Sequence, residues 1–172
     1  PMNNDKSDLS KFENKPLGSS SYLKKVIWYL TNQVFFNSYF SPFYRLKTFI
    51  LKLFGAKVGK NIVIKPNVNI KYPWNLEIGN NSWIGEGVWI DNLDEVFIGS
   101  NVCISQGVKI VTGNHNYKKT SFDLFTKPVV VDNGAWLCAK SIISPGVRIG
   151  SHSILSVGSV ALTDLEPFSI YR

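Results

Sequence analysis

Residues Ile78 to Ile110 read IGNNSWIGEGVWIDNLDEVFIGSNVCISQGVKI and contain the clearest part of a six-residue repeat. Isoleucine returns at every sixth residue in two runs of three, and the same spacing continues on both sides of this stretch. The anchors of the whole repeat are Val58, Ile64, Ile70, Ile78, Ile84, Ile90, Ile98, Ile104, Ile110, Val131, Leu137, Ile143, Ile149, Leu155 and Ala161. A short fixed period of aliphatic residues predicts a parallel β-helix, in which stacked coils bury one continuous core.

Glycine or asparagine occupies the third position after many anchors, which indicates a repeated tight turn. These residues are Asn61, Asn67, Asn81, Gly87, Asn101, Gly107, Gly113, Gly134, Gly146 and Gly158. Both residue types tolerate positive φ more readily than the others do. We therefore expect a corner at the same place in each six-residue unit.

Interruptions of the period show how the coils close. Extra residues separate three pairs of anchors: two between Ile70 and Ile78, two between Ile90 and Ile98, and fifteen between Ile110 and Val131. Each insertion follows a third hexapeptide, so three hexapeptides make one triangular coil and all insertions leave from one corner. The prediction is an all-β solenoid of about five triangular coils. Its longest excursion, residues 112–128, projects from the third coil.

Composition divides the chain into three parts. Residues 1–21 are rich in Lys, Asn and Ser and are expected to be a flexible lead-in. Residues 22–57 predict two short amphipathic α-helices split near Ser41-Pro42, because proline disfavours helix in the residue before it. Residues 58–172 are expected to form the β-helix domain with the protruding loop 112–128. At 172 residues, the chain is one folding unit with a helical preface.

The net charge of +7 is concentrated in the N-terminal part. Residues 1–57 carry nine Lys or Arg and three Asp or Glu, whereas the remainder carries ten and nine. Two interpretations of the basic helices stay open, and both can hold. Their apolar faces cover the open end of the solenoid, or they lie on an anionic membrane. Nucleic acid is not expected as a partner, because the basic residues are interleaved with aromatic residues and form no stripe.

Cysteine usage and hydropathy point to the cytoplasm. Cys103 and Cys138 are adjacent to anchors on different coils, and two such residues without a secretory segment fit a reducing compartment better than a disulfide. No apolar run reaches the ~20 residues that cross a bilayer, and no leader with a cleavage site opens the chain. We expect a cytoplasmic protein, which the basic helices could hold peripherally at the inner face of the membrane.

Histidine is scarce, and its placement singles out one residue. His115 lies at the root of the long excursion, and loops on a rigid scaffold often carry reactive residues. His152 falls at a turn position and is interpreted as a solvated corner residue. Two His and two scattered Cys do not supply the three ligands of a catalytic zinc, so no metal is expected. His115 is then either a general base, the role that suits a histidine near neutral pH, or an inert loop residue.

Several short motifs are shared with a known family. They are LFGAKVG (53–59), PWNL (73–76), WIG (83–85), VWI (88–90), ISQGV (104–108), TGNH (112–115), TKP (126–128) and GAW (134–136). Through them the chain resembles the colanic acid biosynthesis acetyltransferase-like family of hexapeptide O-acetyltransferases, related to the galactoside and maltose acetyltransferases. The resemblance covers roughly residues 22–172 and implies a left-handed solenoid.

The resemblance also implies a reaction and an assembly. The donor would be acetyl-CoA, bound in a groove between neighbouring subunits of a homotrimer with inter-subunit active sites. His115 would deprotonate a sugar hydroxyl, and the amide of Ala139 would stabilise the oxyanion. Trp136 would face outward beside the thioester arm, or pack as an aromatic residue at the subunit interface. Ser156 and Val157 would line the pantetheine channel.

Further polar residues are candidates around the base. Asp91 lies one coil beneath Val111, at the corner where the loop leaves, so it is the best-placed carboxylate to orient His115, or else a solvated turn residue. Glu86 is the second acidic candidate. Asn114, Asn92 and Glu86 are the expected acceptor-binding residues. Galactoside-type relatives have an asparagine in the acceptor pocket where this chain has Gly85, so their acceptor does not carry over.

These observations predict an acetyl-CoA-dependent O-acetyltransferase that modifies a carbohydrate, such as an exopolysaccharide or surface-glycan precursor. Two alternatives share the fold. One is an antibiotic-type (xenobiotic) acetyltransferase with the same base and donor, and the other is a non-catalytic β-helix scaffold protein.

Overall fold

A computed structural model describes residues 8–13, 20–39 and 43–172. Most of the predicted lead-in, namely residues 1–7 and 14–19, lies outside the described residues. The Ser41-Pro42 break at which we expected the two helices to part lies outside them as well.

Two α-helices precede the solenoid, as the sequence predicts. They are α1 (Tyr22–Phe35) and α2 (Tyr44–Leu53), and short 3-10 turns span Leu9–Lys11 and Pro73–Asn75. Helix α1 begins at a capping serine, because the Ser21 hydroxyl accepts a hydrogen bond from the amide of Lys24 at 3.3 Å. No helix among the described residues is both long enough and apolar enough to cross a bilayer.

Three parallel sheets form the faces of the solenoid. Sheet 1 contains β1 (Lys57–Val58), β4 (Leu76–Ile78), β7 (Val96–Ile98), β12 (Val129–Val131) and β15 (Arg148–Ile149). Sheet 2 contains β2 (Val63–Ile64), β5 (Trp83–Ile84), β8 (Cys103–Ile104), β13 (Trp136–Leu137), β16 (Ile154–Leu155) and β18 (Ile170–Tyr171). Sheet 3 contains β3 (Asn69–Ile70), β6 (Trp89–Asp91), β9 (Lys109–Val111), β14 (Ile142–Ile143) and β17 (Val160–Ala161). The predicted β-solenoid is confirmed.

The register of the strands explains the six-residue period. Ile64 pairs with Ile84, and Ile84 with Ile104, so anchors of successive coils stack directly on one another. Strand residues alternate between the two faces of a sheet, so the anchor points inward and its neighbour points outward. All fifteen anchors are buried. After the five complete coils a sixth begins, where Leu165 bridges to Ile149 and β18 adds to sheet 2.

The turn positions follow the prediction with one exception. Nine of the ten expected Gly and Asn residues adopt positive φ, and Gly113 does not. At that corner the chain leaves the coil and continues as a strand, so no tight turn forms. Three corners take positive φ without Gly or Asn, at Lys140, His152 and Phe168, where φ is 61°, 56° and 56°. Stacking between neighbouring coils therefore holds residue types in this conformation that seldom adopt it alone.

All insertions leave from the corner between sheets 3 and 1, as expected. The first two form the short connections 71–75 and 92–95. The third forms an antiparallel hairpin of β10 (Gly113–His115) and β11 (Leu124–Thr126) that projects from the prism. This hairpin contains His115, the candidate base predicted from the sequence.

The N-terminal helices lie against the first coil and satisfy its exposed main chain. Because no coil lies beneath it, the first coil has carbonyl groups without a strand partner. The Trp28 indole donates a hydrogen bond to the Ile70 carbonyl at 2.9 Å, and the Lys47 ammonium donates one to the Lys65 carbonyl at 3.0 Å. Trp28, Phe36 and Leu51 are buried in the same contact. The helices thus close one end of the hydrophobic core.

Candidate active site

The hairpin of β10 and β11 determines where His115 lies. His115 pairs with Leu124, and Gly113 at the other end of β10 pairs with Thr126. Thr112 anchors the root of the hairpin, since its buried hydroxyl donates to the Asp91 carbonyl and accepts from the Asp94 amide, both at 3.0 Å. The imidazole therefore lies on a short antiparallel hairpin that is hydrogen-bonded to the solenoid where it begins.

The imidazole of His115 has a defined hydrogen-bond partner. Its Nδ1 lies 2.8 Å from the main-chain carbonyl oxygen of Phe122. A carbonyl oxygen can only accept, so Nδ1 must donate, and in the neutral ring Nε2 then carries the free lone pair. Nε2 has no hydrogen-bond partner among residues 8–13, 20–39 and 43–172. The arrangement leaves Nε2 able to accept a proton from a bound group.

Phe122 also fixes the plane of the imidazole. Its ring stacks on the His115 ring with centroids 4.4 Å apart and planes 7° apart. Phe122 has a φ of 50°, a left-handed conformation that costs a non-glycine residue of the order of 1 kcal/mol. The loop pays this cost while directing both the carbonyl and the ring of one residue at the same imidazole. The carbonyl contact is possible for any residue type, and the stacking depends on how the loop folds back, so neither could be predicted from the sequence.

Asp91, the carboxylate expected to orient His115, has a different partner in the structure. The Lys71 ammonium lies 2.9 Å from Asp91 Oδ1, in a geometry that makes an ion pair without a hydrogen bond. The imidazole of His115 is oriented by a main-chain carbonyl instead. Asp91 does lie at the predicted corner, since it pairs with Val111 in register. Its carboxylate contacts a lysine on the coil below, whereas the hairpin carries the imidazole outward.

The expected acceptor-binding residues have different environments. Asn92 is fully buried, and its amide bonds to the main chain of Tyr72 and Asn75. In this chain Asn92 holds the corner together and presents no surface to solvent, whereas its expected role was to bind the acceptor. Asn114 is exposed beside His115, and its Oδ1 accepts from the His115 amide at 2.8 Å. Glu86 is exposed at the corner between sheets 2 and 3.

The residues expected to bind the acyl donor lie together on another part of the prism. Trp136 is 46% exposed on the outer face of sheet 2, and its indole donates to the Ser105 hydroxyl at 2.9 Å. The amide of Ala139 donates to no group among the described residues, whereas the Ser156 amide donates to the Tyr171 carbonyl at 2.8 Å. The Gly158 amide donates to the Ala139 carbonyl at 2.9 Å, and the neighbouring Val157 is exposed. These residues therefore lie on adjacent coils.

His115 and the residues around Trp136 lie on different parts of one protomer. His115 leaves from the corner between sheets 3 and 1, and Trp136 lies on sheet 2. In a triangular prism that corner is opposite sheet 2. The imidazole and this part of sheet 2 therefore lie on opposite sides of one protomer.

The structure offers no cluster of metal-ligating side chains in the described ranges. Among residues 8–13, 20–39 and 43–172, no three His, Cys, Asp or Glu side chains come together as a metal site requires. Burial, with a further contribution from nearby Cys103, raises the pKa of the Cys138 thiol, which disfavours the thiolate that metals bind.

Comparison with known proteins identifies the family. No family model matches the chain. WcaF of Escherichia coli (strain K12), named as a colanic acid biosynthesis acetyltransferase, is 35% identical over 166 residues, which is 96% of this chain and 91% of WcaF. The galactoside O-acetyltransferase of the same organism is 31% identical over 121 residues, or 69% of this chain and 60% of that enzyme.

Solved structures share the fold. The hexapeptide-repeat acetyltransferase VCA0836 of Vibrio cholerae, in complex with acetyl-CoA, has a TM-score of 0.78 at 16% identity, covering 94% of this chain and 90% of that chain. A galactoside acetyltransferase in complex with coenzyme A has a TM-score of 0.76 at 23% identity, covering 91% and 86%. The hexapeptide period, the three-sheet solenoid and the near full-length similarity to WcaF agree, and the chain belongs to the hexapeptide-repeat acetyltransferases.

Proposed function

We propose that this acetyltransferase transfers the acetyl group of acetyl-CoA to a hydroxyl of a carbohydrate, such as an exopolysaccharide or surface-glycan precursor. His115 is the general base. The observation that carries the proposal is the bond from Nδ1 to the Phe122 carbonyl, which leaves Nε2 as a proton acceptor. The names of WcaF and of the galactoside enzyme support a sugar acceptor.

The chemistry follows from these groups. Nε2 of His115 takes the proton of the hydroxyl as its oxygen attacks the thioester carbonyl. The unpartnered amide of Ala139 is the candidate donor to the negative charge that develops on the carbonyl oxygen, and such a donor stabilises a transition state by a few kcal/mol. The departing thiolate then recovers the proton from the imidazolium. Trp136, Ser156 and Val157 would line the donor groove, with Asn114 and Glu86 beside the acceptor.

The active unit is proposed to be a homotrimer with sites between subunits. The outer face of sheet 2 presents an apolar row in which Trp83, Trp136 and Ile170 are exposed and Val63, Cys103 and Ile154 are half-buried. Contiguous exposed apolar surface of this kind marks an interface in many proteins. Burying it against a neighbour would bring that neighbour's hairpin to the donor groove.

Mixing two inactive variants tests the shared site. His115→Ala lacks the base, and Ala139→Pro lacks the amide donor. If each site takes its base and groove from different chains, random trimers of the two variants regain about a quarter of wild-type activity. Mixed trimers without activity would place both groups in the same chain.

The base role is tested by substitution with a matched histidine control. His115→Ala should lower acetyl transfer by ~10²–10⁴ while the KM for acetyl-CoA stays unchanged. His152→Ala is the control, because His152 lies at a corner and stacks on Phe168 with centroids 5.1 Å apart. An unchanged rate in the His115 variant would reject the base role, and the absence of acetyl transfer by the wild type would favour a scaffold. Faster transfer to chloramphenicol than to any sugar would favour the xenobiotic enzyme.

Peripheral contact with an anionic membrane is proposed for the helices. Their outer faces expose Tyr22, Leu23, Ile27, Tyr29, Leu30, Val34, Leu46, Phe49 and Leu53. Residues 22–57 contain six Lys or Arg and no acid, so the charge complements an anionic surface. A cytoplasmic enzyme held in this way would meet a lipid-linked acceptor at the bilayer surface.

Vesicle flotation tests the membrane contact. The protein should float with vesicles that contain phosphatidylglycerol, and much less with pure phosphatidylcholine or at high salt. The double variant Leu30→Ser, Phe49→Ser should stay unbound. Leu162→Ser is the control, since Leu162 is equally exposed near the opposite end of the solenoid. Equal binding by all variants, or none to anionic vesicles, would contradict the proposal.

A further inference from the structure

The segment Asp8–Phe12, with the sequence DLSKF, contacts the hairpin that carries His115. The Asp8 amide donates to the Thr120 carbonyl at 2.8 Å. The Phe12 ring meets the His115 ring in an edge contact, with centroids 5.5 Å apart and planes at 61°. These contacts join the beginning of the chain to a loop more than a hundred residues later, and the mechanism above does not use them.

Local hydrogen bonds fold this segment into a turn. Asp8 Oδ1 accepts from the Ser10 amide at 3.1 Å and from the Ser10 hydroxyl at 2.6 Å. The hydroxyl and amide of Ser10 hold the pKa of Asp8 below its usual value, so the carboxylate is charged at neutral pH. The Phe12 amide donates to the Leu9 carbonyl at 3.2 Å, which fixes Phe12 at the end of the turn. The turn is therefore organised to present one aromatic ring.

Two rings restrict the imidazole from different directions. Phe122 lies parallel to the imidazole, and Phe12 is steeply inclined to it. If Phe12 were absent, the imidazole would keep one stacking partner and one hydrogen bond but would have more room to turn away. General-base catalysis is sensitive to such displacement, because proton transfer requires the two heavy atoms within hydrogen-bond reach.

We propose that Asp8–Phe12 is a strap that positions His115, with Phe12 as the positioning residue. The proposal rests on the base role of His115 given above. The strap keeps Nδ1 on the Phe122 carbonyl and so keeps the lone pair of Nε2 available to the acceptor. The N-terminal segment is in this way part of the active site, although it lies outside the solenoid.

Substitution of Phe12 provides the kinetic test. The interaction free energy of an aromatic pair of this kind corresponds to about a three- to tenfold change in an equilibrium or rate constant. Phe12→Ala should therefore lower kcat by about three- to tenfold. The KM for acetyl-CoA and the thermal midpoint should not change. Phe12→Tyr keeps the ring and should restore the rate. Leu9→Ala is the matched control, because Leu9 is exposed in the same turn.

A spectroscopic measurement separates this proposal from the base role. The ¹⁵N shifts of the His115 ring should report a protonated Nδ1 in the wild type and a mixture of tautomers in Phe12→Ala. Unchanged spectra and kcat in Phe12→Ala would overturn the strap, as would an equal loss in Leu9→Ala. A higher kcat would show that the segment blocks the site. If His115→Ala keeps full activity, the base role fails, and the ring spectra alone decide whether Phe12 positions the imidazole.

Discussion

Lys47 allows a quantitative test of how the helices close the solenoid. Its side chain is fully buried, with the ammonium 3.0 Å from the Lys65 carbonyl oxygen and 5.9 Å from the centroid of the Phe36 ring. Burial lowers the pKa of Lys47 from 10.5 to about 8, because desolvation disfavours the charged form. Lys47→Met removes the charge and keeps a flexible side chain of similar length.

The direction of the pH dependence follows from proton binding. Between pH of about 8 and 10.5, the unfolded chain keeps a proton that the folded protein has lost. Stability rises with pH wherever the unfolded state binds more protons, so the wild type gains about 3 kcal/mol over this range. Below this range both states are charged, and the contribution of Lys47 is constant. The Met variant lacks this gain.

Denaturant unfolding of both proteins at pH 7 and pH 10, at one protomer concentration, measures the effect. Other groups that titrate in this range are common to both proteins. The change with pH in the difference between their free energies of unfolding therefore reports Lys47. Lys52→Met controls for the loss of an exposed ammonium from the same helix. The reasoning would be refuted if the stability difference stayed constant with pH, or if both variants changed alike.

Two further predictions concern the corners and the cap. Gly134 and Gly158 have φ near 70°, but a Cβ on Gly134 would lie 2.3 Å from the His152 ring, whereas Gly158 faces open space. Gly158→Ala should lower the free energy of unfolding by about 1 kcal/mol, because of backbone strain alone. Gly134→Ala should lower it by about 1 kcal/mol more, because its Cβ would displace the His152 ring. Thermal unfolding measures both losses, and equal losses would contradict the prediction. Trp28→Phe leaves the Ile70 carbonyl without its donor and should destabilise the protein by about 1–3 kcal/mol in denaturant unfolding, and an unchanged midpoint would mean that another group replaces the indole.

The fold was largely predictable because the repeat records burial directly. Each hexapeptide buries its aliphatic anchor, and nearly all also bury the residue two positions earlier, so the anchors could be identified without knowledge of any contact. Gly113 is the exception to the turn pattern. It follows its anchor at the usual position, yet the chain continues into β10 because the insertion replaces the corner. The turn pattern counts positions from the preceding anchor, and the insertion that begins at residue 112 interrupts that count.

The candidate site was predictable only in part. His115 could be located by its place at the root of an insertion, and Trp136 by its place beside an inward anchor. Asp91 and Asn92 were assigned roles from their coil position, which does not reveal that Lys71 and main-chain groups already occupy their polar atoms. Partners of this kind depend on the path of the corner between coils.

The stacking of the coils, the common corner of the insertions and the identity of the candidate base could be predicted from residue type and spacing, because each of them follows a regular pattern in the chain. The contacts of His115 with the carbonyl and ring of Phe122, and with Phe12 near the N-terminus, became evident from the folded structure alone. It also showed that His115 and the outer face of sheet 2 lie on opposite sides of one chain. The physical reason is that main-chain acceptors are the same for every residue type, and contacts between distant segments depend on how the chain returns in space.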